Sequence, residues 1–320
     1  MTIPNPTDAP QPPTRSPSRL RRWAKRILRV VLIGYVAACI ILLLVQRVLL
    51  FPGAYFHSRE SVKVHAAPGR ELLTLHSADG HRITAVFGAA LTPEGQLRAD
   101  APQRPTLLYF YGNGDCLYTS MDEFNAFRRL GANVLIPEYV GYPLSGGKPG
   151  ESALYATADA AYEYLLTRPD VDKSQIIAMG RSIGAGPAID LASRKPVAGL
   201  ATFSAFTSMD EMARKVLPVF PTRWFLRHHF RNEQKMPQVR CPVFLAHGTK
   251  DSLVPFSMMA RLKNKAAGPV TLYEIVGADH NDIYIVGGDT LLEKFGHFIE
   301  QVHQGVAATK PDKVEVIKNR

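Results

Sequence analysis

The stretch Ile176-Ile177-Ala178-Met179-Gly180-Arg181-Ser182-Ile183-Gly184 joins a short apolar run to a segment, Ile183 to Ser193, with the length and residue types of a helix. A brief β-branched run reads as a buried strand, and G-x-S-x-G at its end reads as a sharp strand-to-helix turn. The glycines let the chain turn abruptly and let strand and helix approach, which leaves the Ser182 hydroxyl displayed at a strained bend. Gly186 and Pro187 follow near the first helical turn, where a missing N–H costs little. Ser182 is therefore a candidate nucleophile; without partners elsewhere it would be an N-cap serine before a glycine-rich turn.

The same alternation extends in both directions. Leu72 to His76 and His81 to Phe87, joined at Asp79-Gly80, read as an opening hairpin. Strands are expected at Thr106 to Tyr111, Asn133 to Pro137, Gln175 to Met179, Gly199 to Phe203, Pro242 to Ala246 and Val270 to Val276. Helix-length segments separate them at Met121 to Leu130, Ala153 to Thr167, Ile183 to Ser193, Phe256 to Ala266 and Thr290 to Val302. This order predicts an α/β fold with a mostly parallel central sheet and helices on both faces. Some 38 residues lie between Phe203 and Pro242, far beyond a median connection of about 4 to 6. That excess, residues 204–241, is expected to form a small helical lid.

A serine hydroxyl attacks only when a base takes its proton, and the base must be held by an acceptor. His247-Gly248-Thr249-Lys250-Asp251 supplies an acid after the strand Pro242 to Ala246, and Gly277-Ala278-Asp279-His280-Asn281-Asp282 supplies a histidine after the last strand. Asp251 and His280 are the candidates for orienting acid and base. Asp279 and Asp282 compete with Asp251, while His228, His229 and His247 are weaker bases because none follows the last strand. Acyl transfer also needs donors for the developing oxyanion. Tyr111-Gly112-Asn113-Gly114 follows the third strand, so one donor is assigned to the backbone N–H of Asn113, with Gly114 as alternative, and the other to that of Ile183.

The chain has 320 residues and a formal charge of +10, from 38 basic and 28 acidic side chains. Most of the excess sits at the ends, with seven cations and one acid in residues 1–29, so the folded body is nearly neutral and a nucleic-acid-binding surface is excluded. Three cysteines with no C-x-x-C pair exclude a disulfide scaffold and a zinc ribbon. Cys116, beside the Gly112 loop, reads as a small buried side chain. Gly141 to Lys148 imitates a phosphate loop, but Pro149 stands where a magnesium-binding Ser or Thr is needed. Neither metal nor nucleotide is implied, and no cofactor.

Residues 1–26 read as a disordered basic tail rich in Pro, Ser and Thr. Arg19, Arg21, Arg22, Lys25, Arg26 and Arg29 then precede the uncharged run Val30 to Val45, and the apolar character resumes as far as Phe51. With Arg29 and Arg47 snorkelling, residues 27–51 are expected to form a single transmembrane anchor. Cleavage or lipidation at Val36-Ala37-Ala38-Cys39 is the rival reading. The positive-inside rule leaves the N-terminus cytoplasmic and the body, residues 52–303, extracytoplasmic, followed by a flexible tail at 304–320.

From about residue 72 to 300 the sequence resembles the α/β-hydrolases, and within them the membrane-anchored abhydrolase-domain subgroup of serine hydrolases, some of whose animal members remove palmitate from protein cysteines. The matching features are the G-N-G loop, Glu138-Tyr139-Val140-Gly141-Tyr142-Pro143 with Gly146-Gly147, G-R-S-I-G, Phe206-Thr207-Ser208, and H-G-T-K-D with D-H-N-D, in the order Ser, Asp, His. Tyr111 stands where a His is usual and Val140 where an Arg is usual. The resemblance implies ester or thioester hydrolysis through Ser182, His280 and Asp251, with a serine peptidase or a non-catalytic lipid- or partner-binding protein as alternatives. The lid carries Phe220, Trp224 and Phe225 among other large apolar groups, read either as a cap on the sheet or as a slot for an acyl chain. In the second case Arg223, Arg227, His228, His229 and Arg231 face lipid headgroups, and the substrate is membrane-borne.

Overall fold

The computed structural model describes residues 19–58, 64–305 and 313–317, and the chain parts into two units between Val45 and Gln46. Helix α1 (Arg19–Leu50) is a continuous run of 32 residues, long and apolar enough to cross a membrane. It begins inside the expected tail: Arg19 to Arg26 are helical, and the rest of that tail lies outside the described residues. The physical reason is propagation, since Leu, Arg, Lys and Ala are good helix formers and each added residue closes one more hydrogen bond.

After α1 come α2 (Gly53–Phe56), the antiparallel pair β1 (Arg70–His76) and β2 (Arg82–Gly88), β3 (Thr106–Phe110), α3 (Met121–Arg129), β4 (Asn133–Pro137) and α4 (Glu151–Thr167). Then follow β5 (Ile176–Arg181), α5 (Ala185–Arg194) and β6 (Gly199–Phe203). Next is the expected lid segment, built from the short helices α6 (Met209–Val216), α7 (Thr222–Phe225) and α8 (Asn232–Lys235). β7 (Val243–Gly248), α9 (Phe256–Lys265), β8 (Val270–Ile275), α10 (Ile283–His303) and β9 (Lys313–Ile317) are the last of the described elements. Helix α10 starts earlier than the expected Thr290 and is kinked at Gly288, where φ is 50°.

Among the described residues, nine strands form one sheet in the order β1-β2-β4-β3-β5-β6-β7-β8-β9. Among the pairings of these strands, β1–β2 and β2–β4 are antiparallel and the rest are parallel. Every residue of β3, β4, β6 and β7 is buried, as parallel strands covered on both faces must be. The fold class expected from the alternation is therefore the one observed.

The tail expected at 304–320 needs correction. Its residues Lys313–Ile317 pair in parallel with β8, from Thr271 opposite Lys313 to Ile275 opposite Ile317. Val314, Val316 and Ile317 supply β-branched side chains, with Ile317 buried, but five residues are too few to stand out from a polar terminus. The pairing covers an edge that would otherwise expose unpaired backbone groups.

Strand order reverses at β3, whose neighbours are β4 on one side and β5 on the other. At such a switch point the loops leaving the carboxyl ends of adjacent strands diverge and open a crevice. The register sets Phe110 opposite Gly180, so the loop after β3 and the turn after β5 emerge side by side.

Candidate active site

Strand β5 ends at Arg181, and the chain turns through a 3-10 segment, Ser182–Gly184, directly into α5. Ser182 has φ 53°, a left-handed conformation that is uncommon for a residue with a side chain. The two flanking glycines make the turn possible by close approach. A Cβ on Gly180 would stand 2.2 Å from the Gly184 carbonyl oxygen, and one on Gly184 would stand 2.1 Å from that of Phe110. No larger residue fits at either position without moving backbone.

Three side chains far apart in sequence meet at this turn. The Ser182 hydroxyl donates to His280 Nε2 at 2.9 Å, and His280 Nδ1 donates to Asp251 Oδ2 at 2.8 Å. All three are nearly buried. Asp251 Oδ1 accepts the backbone N–H groups of Leu253 at 3.0 Å and Val254 at 2.7 Å. Burial alone would push the Asp251 carboxyl up, but hydrogen bonds from His247 and His280 outweigh it and hold the group well below the usual carboxylate range. A carboxylate so fixed keeps the imidazole in one tautomer, with Nε2 free to take the serine proton.

The competing candidates are accounted for elsewhere. Asp279 accepts from the Ser252 and His280 backbone N–H groups, both at 2.7 Å, and Asp282 accepts from the Asp279 N–H at 2.6 Å. His228 Nδ1 accepts from the Glu151 N–H at the start of α4, and His229 pairs with Asp210 at 2.9 Å. His247 is fully buried and approaches Asp251 Oδ2 at 3.1 Å, so it supports the acid and does not replace the base. Cys116 is buried beside Thr119, and burial pushes its thiol up, away from the thiolate form.

The Gly112 loop lies against the serine. A Cβ on Gly112 would be 3.9 Å from Ser182 Cβ and 3.0 Å from the Asp115 carboxylate. Asp115 pairs with Arg181 at 3.1 Å, which ties the loop to the residue before the serine. The Ile183 N–H lies in the first turn of the 3-10 segment, where amides have no partner within the helix. The Asn113 carbonyl accepts the Tyr142 hydroxyl at 3.2 Å.

The residues that depart from the usual pattern form a brace of their own. Tyr111 donates to Glu138 Oε2 at 2.9 Å, and Glu138 also accepts the N–H groups of Leu117 at 2.6 Å and Leu144 at 3.3 Å. Burial raises the Glu138 carboxyl, and these donors oppose the shift. Val140 is buried and its N–H donates to Thr157 Oγ1 at 3.0 Å. Glu138 lies in the motif from Glu138 to Pro143, but its role depends on a tyrosine 27 residues away and has no local signal.

The lid residues Phe220, Trp224 and Phe225, read as a sheet cap or an acyl slot, are unequally enclosed. Trp224 is 76% exposed, with the Arg223 guanidinium 5.5 Å from its ring centre. Phe220 and Phe225 are half-buried. The segment is fastened by Gln46, which donates to the Phe225 carbonyl at 3.3 Å and accepts the Arg227 N–H at 2.9 Å.

A profile of the dienelactone hydrolase family matches residues 145–280, a span that includes Ser182, Asp251 and His280. An uncharacterised protein of Mycobacterium tuberculosis is 33% identical over 197 residues, covering 62% of this chain and 70% of that protein. The alpha/beta hydrolase domain-containing protein aho-3 of Caenorhabditis elegans is 33% identical over 211 residues, covering 64% of this chain and 60% of that protein. Among solved structures, the Pyrococcus furiosus esterase Pf2001 superposes with a TM-score of 0.61 at 18% identity, over 75% of this chain and 97% of its own. The 2,6-dihydroxy-pseudo-oxynicotine hydrolase superposes with a TM-score of 0.63 at 16% identity, over 78% of this chain and 72% of its own. At these identities the structural matches concern the fold.

Proposed function

We propose that this chain, which has the fold of α/β-hydrolase structures and matches the dienelactone hydrolase family over residues 145–280, is a membrane-anchored serine hydrolase that cleaves an ester or thioester of a lipid-like acyl group. The observation that carries this reading is the unbroken hydrogen-bond chain from Ser182 through His280 to Asp251, at 2.9 and 2.8 Å. Ser182 Oγ attacks the acyl carbon while His280 Nε2 takes its proton. The oxyanion that forms is held by the Asn113 and Ile183 amides, and each such donor contributes about 2.7–4 kcal/mol. His280 then protonates the leaving oxygen or sulfur as the bond to the acyl carbon breaks, and an acyl-enzyme remains. Water, deprotonated by His280, attacks that ester, and its collapse returns the proton to Ser182 and releases the acid.

The length and apolar character of α1 support anchoring, and the six cations from Arg19 to Arg29 support an N-terminus on the cytoplasmic side. Tethering raises the effective concentration of the site for substrates in the same membrane. Protease added to intact cells or spheroplasts tests the orientation. Digestion of the body with protection of a tag at Met1 is expected, and the reverse pattern refutes it. Labelling by a fluorophosphonate probe tests the serine chemistry and separates it from a hydrolase-fold protein that only binds.

A further inference from the structure

The chain directly after α1 folds back onto the loop that faces Ser182. Phe51 is fully buried, edge-on to His228 with ring centres 5.2 Å apart, and it fixes where this segment starts. The Gly53 N–H then donates to the Asn113 carbonyl at 2.9 Å, and His57 Nε2 donates to the Gly114 carbonyl at 2.9 Å. The approach is close enough to demand glycine: a Cβ on Gly53 would stand 2.2 Å from the Asp115 carbonyl oxygen and 2.9 Å from that of Asn113.

These bonds bear on the oxyanion donors through peptide geometry. A trans peptide is planar, so its carbonyl and the following N–H point in opposite directions, and a held carbonyl aims the next amide. The Asn113 carbonyl, held by Gly53 and by the Tyr142 hydroxyl, sets the Gly114 N–H. The Gly114 carbonyl, held by His57, sets the Asp115 N–H, which donates to the Gly112 carbonyl at 3.2 Å. That last bond sets the Asn113 N–H. Both amides considered for the first oxyanion donor therefore depend on residues beyond the apolar helix.

We infer that Phe51–His57 is a positioning strap for the oxyanion loop, in which Gly53 and His57 aim the Asn113 and Gly114 amides at the reacting carbonyl. The assignment rests on the serine hydrolase reading above. It makes the juxtamembrane segment part of the active site, and not merely a spacer between helix and enzyme. Gly53 and His57 touch no reacting atom; they act through the loop. A misplacement of about 1 Å in such a donor costs on the order of 10²-fold in rate, and the loss falls on kcat because the oxyanion exists only beyond the ground state.

The test uses the full-length protein in detergent micelles, with p-nitrophenyl butyrate and a fluorophosphonate probe, comparing wild type with His57→Leu, His57→Gln and Gly53→Ala. The expected result for His57→Leu is a kcat lower by about tenfold or more, KM within about twofold, an unchanged melting midpoint and an equal drop in labelling rate. His57→Gln keeps an N–H donor and recovers most of the loss, while Gly53→Ala loses more than His57→Leu. Retention of kcat within about twofold by both His57→Leu and Gly53→Ala overturns the strap and leaves the hydrolase reading intact. A His57→Leu loss that tracks a lowered melting midpoint and is not recovered by Gln also overturns it. A wild-type protein that neither turns over nor labels removes the hydrolase reading, and the strap with it.

Discussion

The Tyr111 hydroxyl donates to Glu138 Oε2 at 2.9 Å and accepts the Tyr139 N–H at 3.3 Å, which ties the end of β3 to the end of β4 directly behind the Gly112 loop. Tyr111→Phe removes one hydroxyl and leaves a buried carboxylate and a buried amide each short of a partner. The expected penalty is about 1–3 kcal/mol, read in a thermal melt as roughly 2–4 °C per kcal/mol for a domain of this size. A fall in kcat should accompany it. A Tyr111→Phe protein with wild-type melting and wild-type kcat contradicts the brace.

The ionisation of Asp251 is tied to the fold. Its carboxyl lies below the ordinary range because His247, His280 and two backbone amides all donate to it. The unfolded chain takes up this proton near pH 3.9 and the folded chain only lower, so the ionised group stabilises the fold above about pH 4. That contribution is lost as pH falls from there through the folded value. Asp251→Asn should therefore be less stable than wild type in urea at about pH 7, with the gap narrowing at about pH 3. Its kcat should fall by about 10⁴. A stability gap independent of pH contradicts this account of the site.

The turn at Ser182 depends on absent side chains. Gly184→Ala places a methyl group 2.1 Å from the Phe110 carbonyl oxygen, which forces β3 and α5 apart. The expected penalty is about 1–3 kcal/mol or more, with loss of fluorophosphonate labelling. Gly114→Ala is the control for stability, since nothing lies within 4 Å of its Cβ. Equal melting of the two variants argues against the close approach.

How much of this was legible in the sequence follows from range. Gly180 to Gly184 announced the strand-turn-helix because every determinant lies within a few residues, and the following strands carried Asp251 and His280 in a recognisable order. Gly53 and His57 gave no signal, and the motif from Glu138 to Pro143 gave no sign of the role of Glu138, because their partners Asn113, Gly114 and Tyr111 are 27 or more residues away. Strand β9 was hidden for a similar reason: Lys313–Ile317 becomes a strand only by adding to β8. Composition marked Trp224 as apolar but not that it points outward at 76% exposure.

Substrate preference should follow acyl length. Each methylene buried against the insertion contributes about 0.8 kcal/mol, so kcat/KM for p-nitrophenyl esters is expected to rise from acetyl to at least octanoyl. Phe220→Ser and Phe225→Ser, at half-buried positions, should flatten the rise, whereas Trp224→Ser, at an exposed one, should change it little. A preference for the acetyl ester over every longer chain would make the insertion a cap on the sheet and nothing more.

The central claim is that Ser182 is the nucleophile, activated by His280 at 2.9 Å. The most direct measurement compares wild type and Ser182→Ala, as full-length protein, for fluorophosphonate labelling and for ester turnover. Loss of a triad nucleophile costs about 10⁶ in kcat, so the account predicts a labelled, active wild type and an unlabelled variant with turnover at background. A Ser182→Ala protein that still labels, or that keeps about a tenth of wild-type esterase activity, contradicts it.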